Sequence, residues 1–196
     1  ACRAWIDVRA FGQVFAYSGK KGKKNEGEDD SSGISIPVRG PVSIHSAFSV
    51  APVLDRVSSI QITKSVSGET GEKRGSDTMG MKHRVDHGVY VFYGSMNPQL
   101  ATKTFFSDED AEAIKEAIRT LFVNDASSAR PEGSMEVYRL FWWKHSNPNG
   151  QYSSAKVHRL LNVKIKDGID EPKSIDDYQI ELAELPGLEC EIIEGE

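Results

Sequence analysis

The order of apolar and polar residues predicts a chain built mostly of short strands. WIDVRAFGQVFAY, from Trp5 to Tyr17, alternates imperfectly with a period of two. SSIQITKSV, from Ser58 to Val66, alternates well, with Ile60 and Ile62 on one face and Val66 joining them further on. Between these two runs lies IPVRGPVSIHSAFSVAPVL, in which Pro37 and Pro41 bracket Arg39-Gly40 ahead of a short apolar run. HGVYVFYGSM, from His87 to Met96, is rich in β-branched and aromatic side chains and reads as a further strand. MEVYRLFWWKH and KVHRLLNVKI read as two strands joined by SNPNGQ, where Asn149-Gly150 offers the positive φ angles of a tight hairpin. DDYQIELAEL adds a final strand or edge.

One helix is expected, over SDEDAEAIKEAIRTLFVN from Ser107 to Asn124. Ser107 with Asp110 spells a capping box, acidic residues fill the first turn, and Ile114, Ala117, Ile118, Leu121 and Phe122 form one apolar stripe. Strands with a helix laid on the sheet indicate an α+β sandwich, read here as a single domain over residues 1–196.

Two stretches carry no apolar period. SGKKGKKNEGEDDSSG, residues 18–33, is a Lys-rich then acidic low-complexity block with the composition of a mobile loop. SGETGEKRGSDTMGMKHRV, from Ser67 to Val85, combines four cationic and three anionic side chains with four glycines and two methionines. It lies inside a long excursion between strands, residues 58–87.

Composition narrows the class. With 38% hydrophobic and 27% charged residues the chain can bury one ordinary core, and no run approaches the apolar length of a membrane span, so no membrane partner is expected. Cys2 and Cys190 lack CxxC spacing, which suggests reduced thiols and a cytoplasmic setting. The net charge of −5 hides a segregation: residues 166–196 hold eleven Asp/Glu against two Lys, whereas residues 1–165 hold 22 basic against 18 acidic side chains. A mildly basic body could face a polyanion; a solvated acidic segment is the simpler account of the other half.

Chemistry of the catalytic kind is not indicated. The five histidines are scattered, only His83 and His87 share a neighbourhood, and no third ligand stands at metal-binding spacing, so neither metal nor cofactor is expected. There is no GxSxG, Walker, HExxH or strand-GxGxxG-helix motif, and Asp108 and Asp110 are accounted for by the helix N-terminus. What remains is a set of small polar and cationic residues beside strands. Arg39, Ser43, His45 and Ser46 follow one turn and Lys82, His83 and Arg84 follow Gly80, where phosphate could be cradled by side chains and backbone N–H groups. Met79 and Met81 suit either local hairpin packing or wedging beside unstacked bases.

The succession DVRAFGQVFA, VRGPVSIHSAFSV, SIQITKSV, DTMGMKHRVDHGVYVFYG, FSDEDAEAIKEAI, NDASSARPEG, LFWWKHSN and AKVHRLLNVK resembles the repeated backbone subunit of the CRISPR Cascade complex, most closely of type I-C, over residues 5–165. The resemblance implies a modified RRM/ferredoxin-like antiparallel sheet with helix packing and an inserted thumb hairpin, the excursion of residues 58–87 being the thumb. It implies a non-catalytic protein whose copies stack head to tail along CRISPR guide RNA, kink it periodically and present bases to target DNA beside other Cascade subunits. Carried over to this sequence, the RNA contacts are Arg9 and Gln13 in the first strand, Arg39, Ser43, His45 and Ser46 after the RGP turn, and Thr78, Met81, Lys82, His83 and Arg84 in the thumb, with Arg130 after the helix. For Arg9 a solvated strand face is the close second reading, and His145 and His158 take structural roles. The family pattern places a strand and a helical region ahead of WIDVRAFG, so an N-terminal part of the fold is expected to be absent from this chain. Two alternatives belong to other classes: a type III-like subunit in which Asp77 or Asp86 holds a metal for cleaving target RNA, and a protein-protein scaffold.

Overall fold

Among the residues that the computed structural model describes (1–17, 34–53, 57–63 and 79–196), every sheet is two-stranded and antiparallel. The chain falls into two compact units, one of Ala1–His45, Gly94–His158 and Glu184–Glu196 and one of Ser46–Tyr93 and Arg159–Ala183. The class is α+β, with small antiparallel sheets and few helices, in keeping with an RRM-like fold. The block 18–33, the stretch 64–78 of the excursion, and with it Asp77 and Thr78, lie outside the described residues.

In the first unit the expected opening strand is half helix. Helix α1 spans Ile6–Phe11 and buries Val8 and Ala10, and only then does strand β1, Gly12–Tyr17, begin. A six-residue helix is below the length that propensity can nucleate, so its packing against the rest of the unit decides it. Gly12 ends it with φ +84°, donating its N–H to the Val8 carbonyl. Strand β2, Ile34–Arg39, pairs with β1 from Gly12↔Arg39 to Tyr17↔Ile34. The following Gly40 sits where any Cβ would run into the Ala10 carbonyl, so the Arg39-Gly40-Pro41 turn is locked against the α1–β1 corner. Strand β3, Val42–Ile44, then leaves this corner to meet a partner from further along the chain.

Helix α2, Pro98–Thr104, has no apolar signature in the sequence but a strong local start. The Asn97 side chain accepts from the N–H groups of Gln99 and Leu100, and Pro98 occupies the first turn. Helix α3, Asp108–Arg119, carries the expected reciprocal capping box between Ser107 and Asp110. It ends five residues before Asn124, which adopts φ +57° beyond a turn. Leu121 is accordingly exposed instead of closing the apolar stripe.

The hairpin expected at Asn149-Gly150 does not join the strands around it. Strand β9, Arg139–Trp143, pairs with β12, Cys190–Glu194, while Ser154–His158 forms a short helix, α4, where a strand was expected from Lys156. Gly150 alone takes a positive φ, +79°, and the loop closes on itself through Ser146 N–H to Gln151 Oε1 and Gln151 N–H to His145 Nδ1. Buried Val8, Ala10, Val42, Val157 and Leu188 make this unit's small apolar core.

In the second unit β4, Phe48–Ser49, pairs with β7, Tyr90–Val91, so the HGVYVFYGSM run is two short strands and not one. Its other piece, β8, Gly94–Met96, is the partner of β3 in the first unit. Strand β10, Leu161–Ile165, pairs with β11, Tyr178–Leu182. The remaining pair, β5, Val57–Thr63, and β6, Met79–Val85, forms an antiparallel ribbon. Ala51, Leu160 and Tyr178 are buried in this unit.

The acidic segment is folded into strands, and several of its carboxylates, though exposed to solvent, have partners. Glu191 pairs with Lys115 at 3.0 Å, Glu194 with Arg139 at 2.9 Å and Glu196 with Arg119 at 2.7 Å, all within the first unit, while Glu181 pairs with Lys164 in the second. Its alternating Cys190–Glu194 run docks as a strand, which holds these carboxylates against cations already spaced along α3 and β9.

Candidate nucleic-acid interface

The ribbon of β5 and β6 turns part of the non-periodic excursion into an ordered surface. Register pairs Val57 with Val85, Ser58 with Arg84, Ser59 with His83, Ile60 with Lys82 and Gln61 with Met81. Because strand side chains alternate, the cluster Met81, Lys82, His83 and Arg84 divides between two faces. Lys82 and Arg84 share one face with Ser58, Ile60 and Ile62; Met81 and His83 share the other with Val57, Ser59, Gln61 and Val85. Both faces meet solvent, with Ile60 50% and Met81 56% exposed. One side therefore joins cations to apolar surface, and the opposite side joins a thioether to an imidazole.

Polar contacts fix the base of the ribbon. Ser59 Oγ lies 2.6 Å from His83 Nδ1, across the strand pair. Asp86, one residue past β6, accepts from Ser58 Oγ through Oδ2 and from Arg84 Nε at 2.8 Å through Oδ1. Those bonds hold the Asp86 carboxyl below the usual carboxylate range, the Ser58 hydroxyl contributing most and Arg84 next. Both oxygens of a residue considered for metal binding are thus already engaged. Among the described residues no group of three His, Cys, Asp or Glu side chains is placed to hold a metal ion.

The other sequence-predicted residues are dispersed. Arg9 stands on α1 and not on a strand, and its guanidinium is engaged inside the unit: Nη2 reaches Asp110 Oδ1 at 2.6 Å, Nε reaches Oδ2 at 2.8 Å, and Nη1 donates to the Cys2 carbonyl. This bidentate pair, with the Ser107 bonds, lowers the Asp110 pKa to about 2. Gln13 is exposed on β1, and register places it on the hairpin face opposite Arg39. Arg39 is exposed at the locked turn, and Ser43 is exposed on β3 opposite Ser95. The exposed His45 packs edge-to-face on His158, with ring centres 5.8 Å apart. Ser46 is exposed but belongs to the second unit. Arg130 closes a local turn by pairing with Asp125 at 2.9 Å. Only Met81, Lys82, His83 and Arg84 are thus gathered on one element. Sequence reasoning missed Ser58 as a partner of the basic run, because only the register brings it beside Arg84 and Asp86.

No helix among the described residues is long and apolar enough to cross a membrane. No curated protein matches the chain. A family model described as CRISPR-associated protein Cas7 matches residues 1–183, nearly the whole length. The match takes in the locked RGP turn, the two-faced ribbon and the paired strands that carry them, and on it the chain belongs to the Cas7 family of CRISPR-associated proteins.

Proposed function

We propose that this chain is the repeated, non-catalytic backbone subunit of a type I CRISPR complex, of the I-C kind, which lines guide RNA in the cytoplasm and presents its bases to target DNA. The observation that carries this reading is the ribbon: membership in the Cas7 family combined with a two-stranded arm whose cationic face, Lys82 and Arg84, adjoins exposed Ile60 and Ile62. Cations hold phosphates without sequence preference, and the apolar side chains beside them suit the faces of unstacked bases. One copy offers few such interactions. Affinity therefore comes from many copies along one strand, packed head to tail in an arrangement that propagates instead of closing.

The experiment is co-expression of the chain with a CRISPR guide RNA, followed by purification across a salt titration. RNA should copurify, and Lys82→Ala with Arg84→Ala should flatten the salt dependence of binding by about 0.7 in log–log slope for each phosphate left without its cation. Unchanged assembly at every salt concentration would count against the ribbon as the RNA-binding surface. Complementary RNA added with Mg²⁺ should stay intact; its cleavage would support the nuclease alternative.

A further inference from the structure

Arg84 is 69% exposed on its side chain, a setting in which a long cation ordinarily samples many rotamers and binds a phosphate only after losing that freedom. Here it does not stand alone. Its Nε is held by Asp86 Oδ1 at 2.8 Å, and the other oxygen of the same carboxylate is held by Ser58 Oγ from the facing strand, whose Ser58 is Arg84's own register partner. The contact uses the Nε side of the guanidinium, which among the described residues leaves the edge bearing Nη1 and Nη2 for an anion. That edge, like the Nε side, can grip an oxyanion through two parallel N–H bonds.

We propose that Ser58 and Asp86 are positioning residues that hold Arg84 as a preset, two-pronged anchor for one phosphodiester of a single-stranded RNA. The inference rests on the RNA-binding reading of the ribbon and goes beyond it in assigning work to an anionic residue inside a cationic surface. By charge alone, Asp86 should repel RNA, so its removal should tighten binding. As a positioning residue it should do the reverse, because an unpinned Arg84 must be ordered at the moment it meets the phosphate. The sign of the effect therefore decides between the two.

The test measures binding of a fluorescein-labelled single-stranded oligoribonucleotide to the purified full chain by fluorescence anisotropy, with thermal melting run on every variant. Asp86→Asn and Ser58→Ala should each weaken binding about two- to fivefold, the scale of an exposed ion pair, and Ser58→Thr should retain wild-type affinity by keeping the hydroxyl. In an Arg84→Ala background, Asp86→Asn should weaken binding no further. Unchanged or tighter binding by Asp86→Asn, while Arg84→Ala still weakens it, overturns the proposal and leaves the RNA reading standing. Equal weakening from Asp86→Asn in both backgrounds also overturns it, since Asp86 would then be supporting the ribbon and not Arg84. If neither Lys82→Ala nor Arg84→Ala alters binding, the RNA reading of the ribbon falls and takes this proposal with it.

Discussion

Asp110 gathers in one carboxylate two tasks that the sequence displays only one of. It closes the capping box of α3 by accepting from the Ser107 N–H at 2.9 Å, and it receives the bidentate Arg9 pair from a residue 101 positions earlier. The group is buried, so both sets of bonds work in a site poorly screened by water. Its pKa is depressed from the ordinary carboxylate value to about 2, mainly by Arg9. A depressed acid contributes stability that is complete above its unfolded pKa and is lost as pH falls through the folded one. Urea unfolding should therefore show stability declining between about pH 4 and pH 2, and Asp110→Ala should cost about 2–3 kcal/mol at neutral pH and flatten that decline. Gly40 offers a second residue-scale test. A methyl group there meets the Ala10 carbonyl, so Gly40→Ala should lower stability by about 1–3 kcal/mol in the same assay, with a matching fall in melting temperature.

At the scale of elements, the ribbon and α3 differ in how much the chain discloses. The α3 cap is local: Ser107 and Asp110 are three residues apart, and the box could be read directly from their order. Ser107→Ala should cost about 1 kcal/mol, measured by thermal or denaturant unfolding. The faces of the ribbon depend on register instead. Met81 and Lys82 are neighbours in sequence but lie on opposite sides, and exchanging them keeps composition and charge while moving the cation away from Arg84. The double variant Met81→Lys, Lys82→Met should bind RNA more weakly, with the salt slope by anisotropy shallower by about 0.7; wild-type behaviour would show that charge content suffices without a face. The same dependence on pairing explains why β9 and β10 do not form the hairpin expected from the turn between them. Their sequences alternate as strands, yet each finds a partner from the C-terminal stretch.

For the molecule as a whole, the apolar surface is the telling quantity. Among the described residues few large side chains are buried, whereas Trp5, Phe11, Val14, Tyr17, Ile34 and Phe48 are each more than 45% exposed. Both sides of the β1–β2 hairpin include such residues, as is expected of a Cas7-family chain that meets other Cas subunits in a complex. Purified without RNA, the chain should self-associate with rising concentration, as read by light scattering coupled to size-exclusion chromatography. A monodisperse monomer throughout would weaken the head-to-tail reading. The acidic segment will not drive that association as a free tail, because Glu191, Glu194 and Glu196 are already paired within their own unit.

The order of residues determined what depends on near neighbours. It specified the start of α3, the β alternation begun at Ser58 and expected to run to Val66, of which the described part lies in β5, the α+β class, and a run of family motifs specific enough to expect a CRISPR backbone subunit. Tertiary structure alone decided what depends on distant partners. It made Ile6–Phe11 a helix, committed Arg9 to Asp110, separated Lys82 from Met81, and set Ser58 and Asp86 beside Arg84. The physical reason is the same in each case. Capping and alternation act over a few residues, whereas register, ion pairing and burial join segments whose separation in the chain carries no information about their meeting.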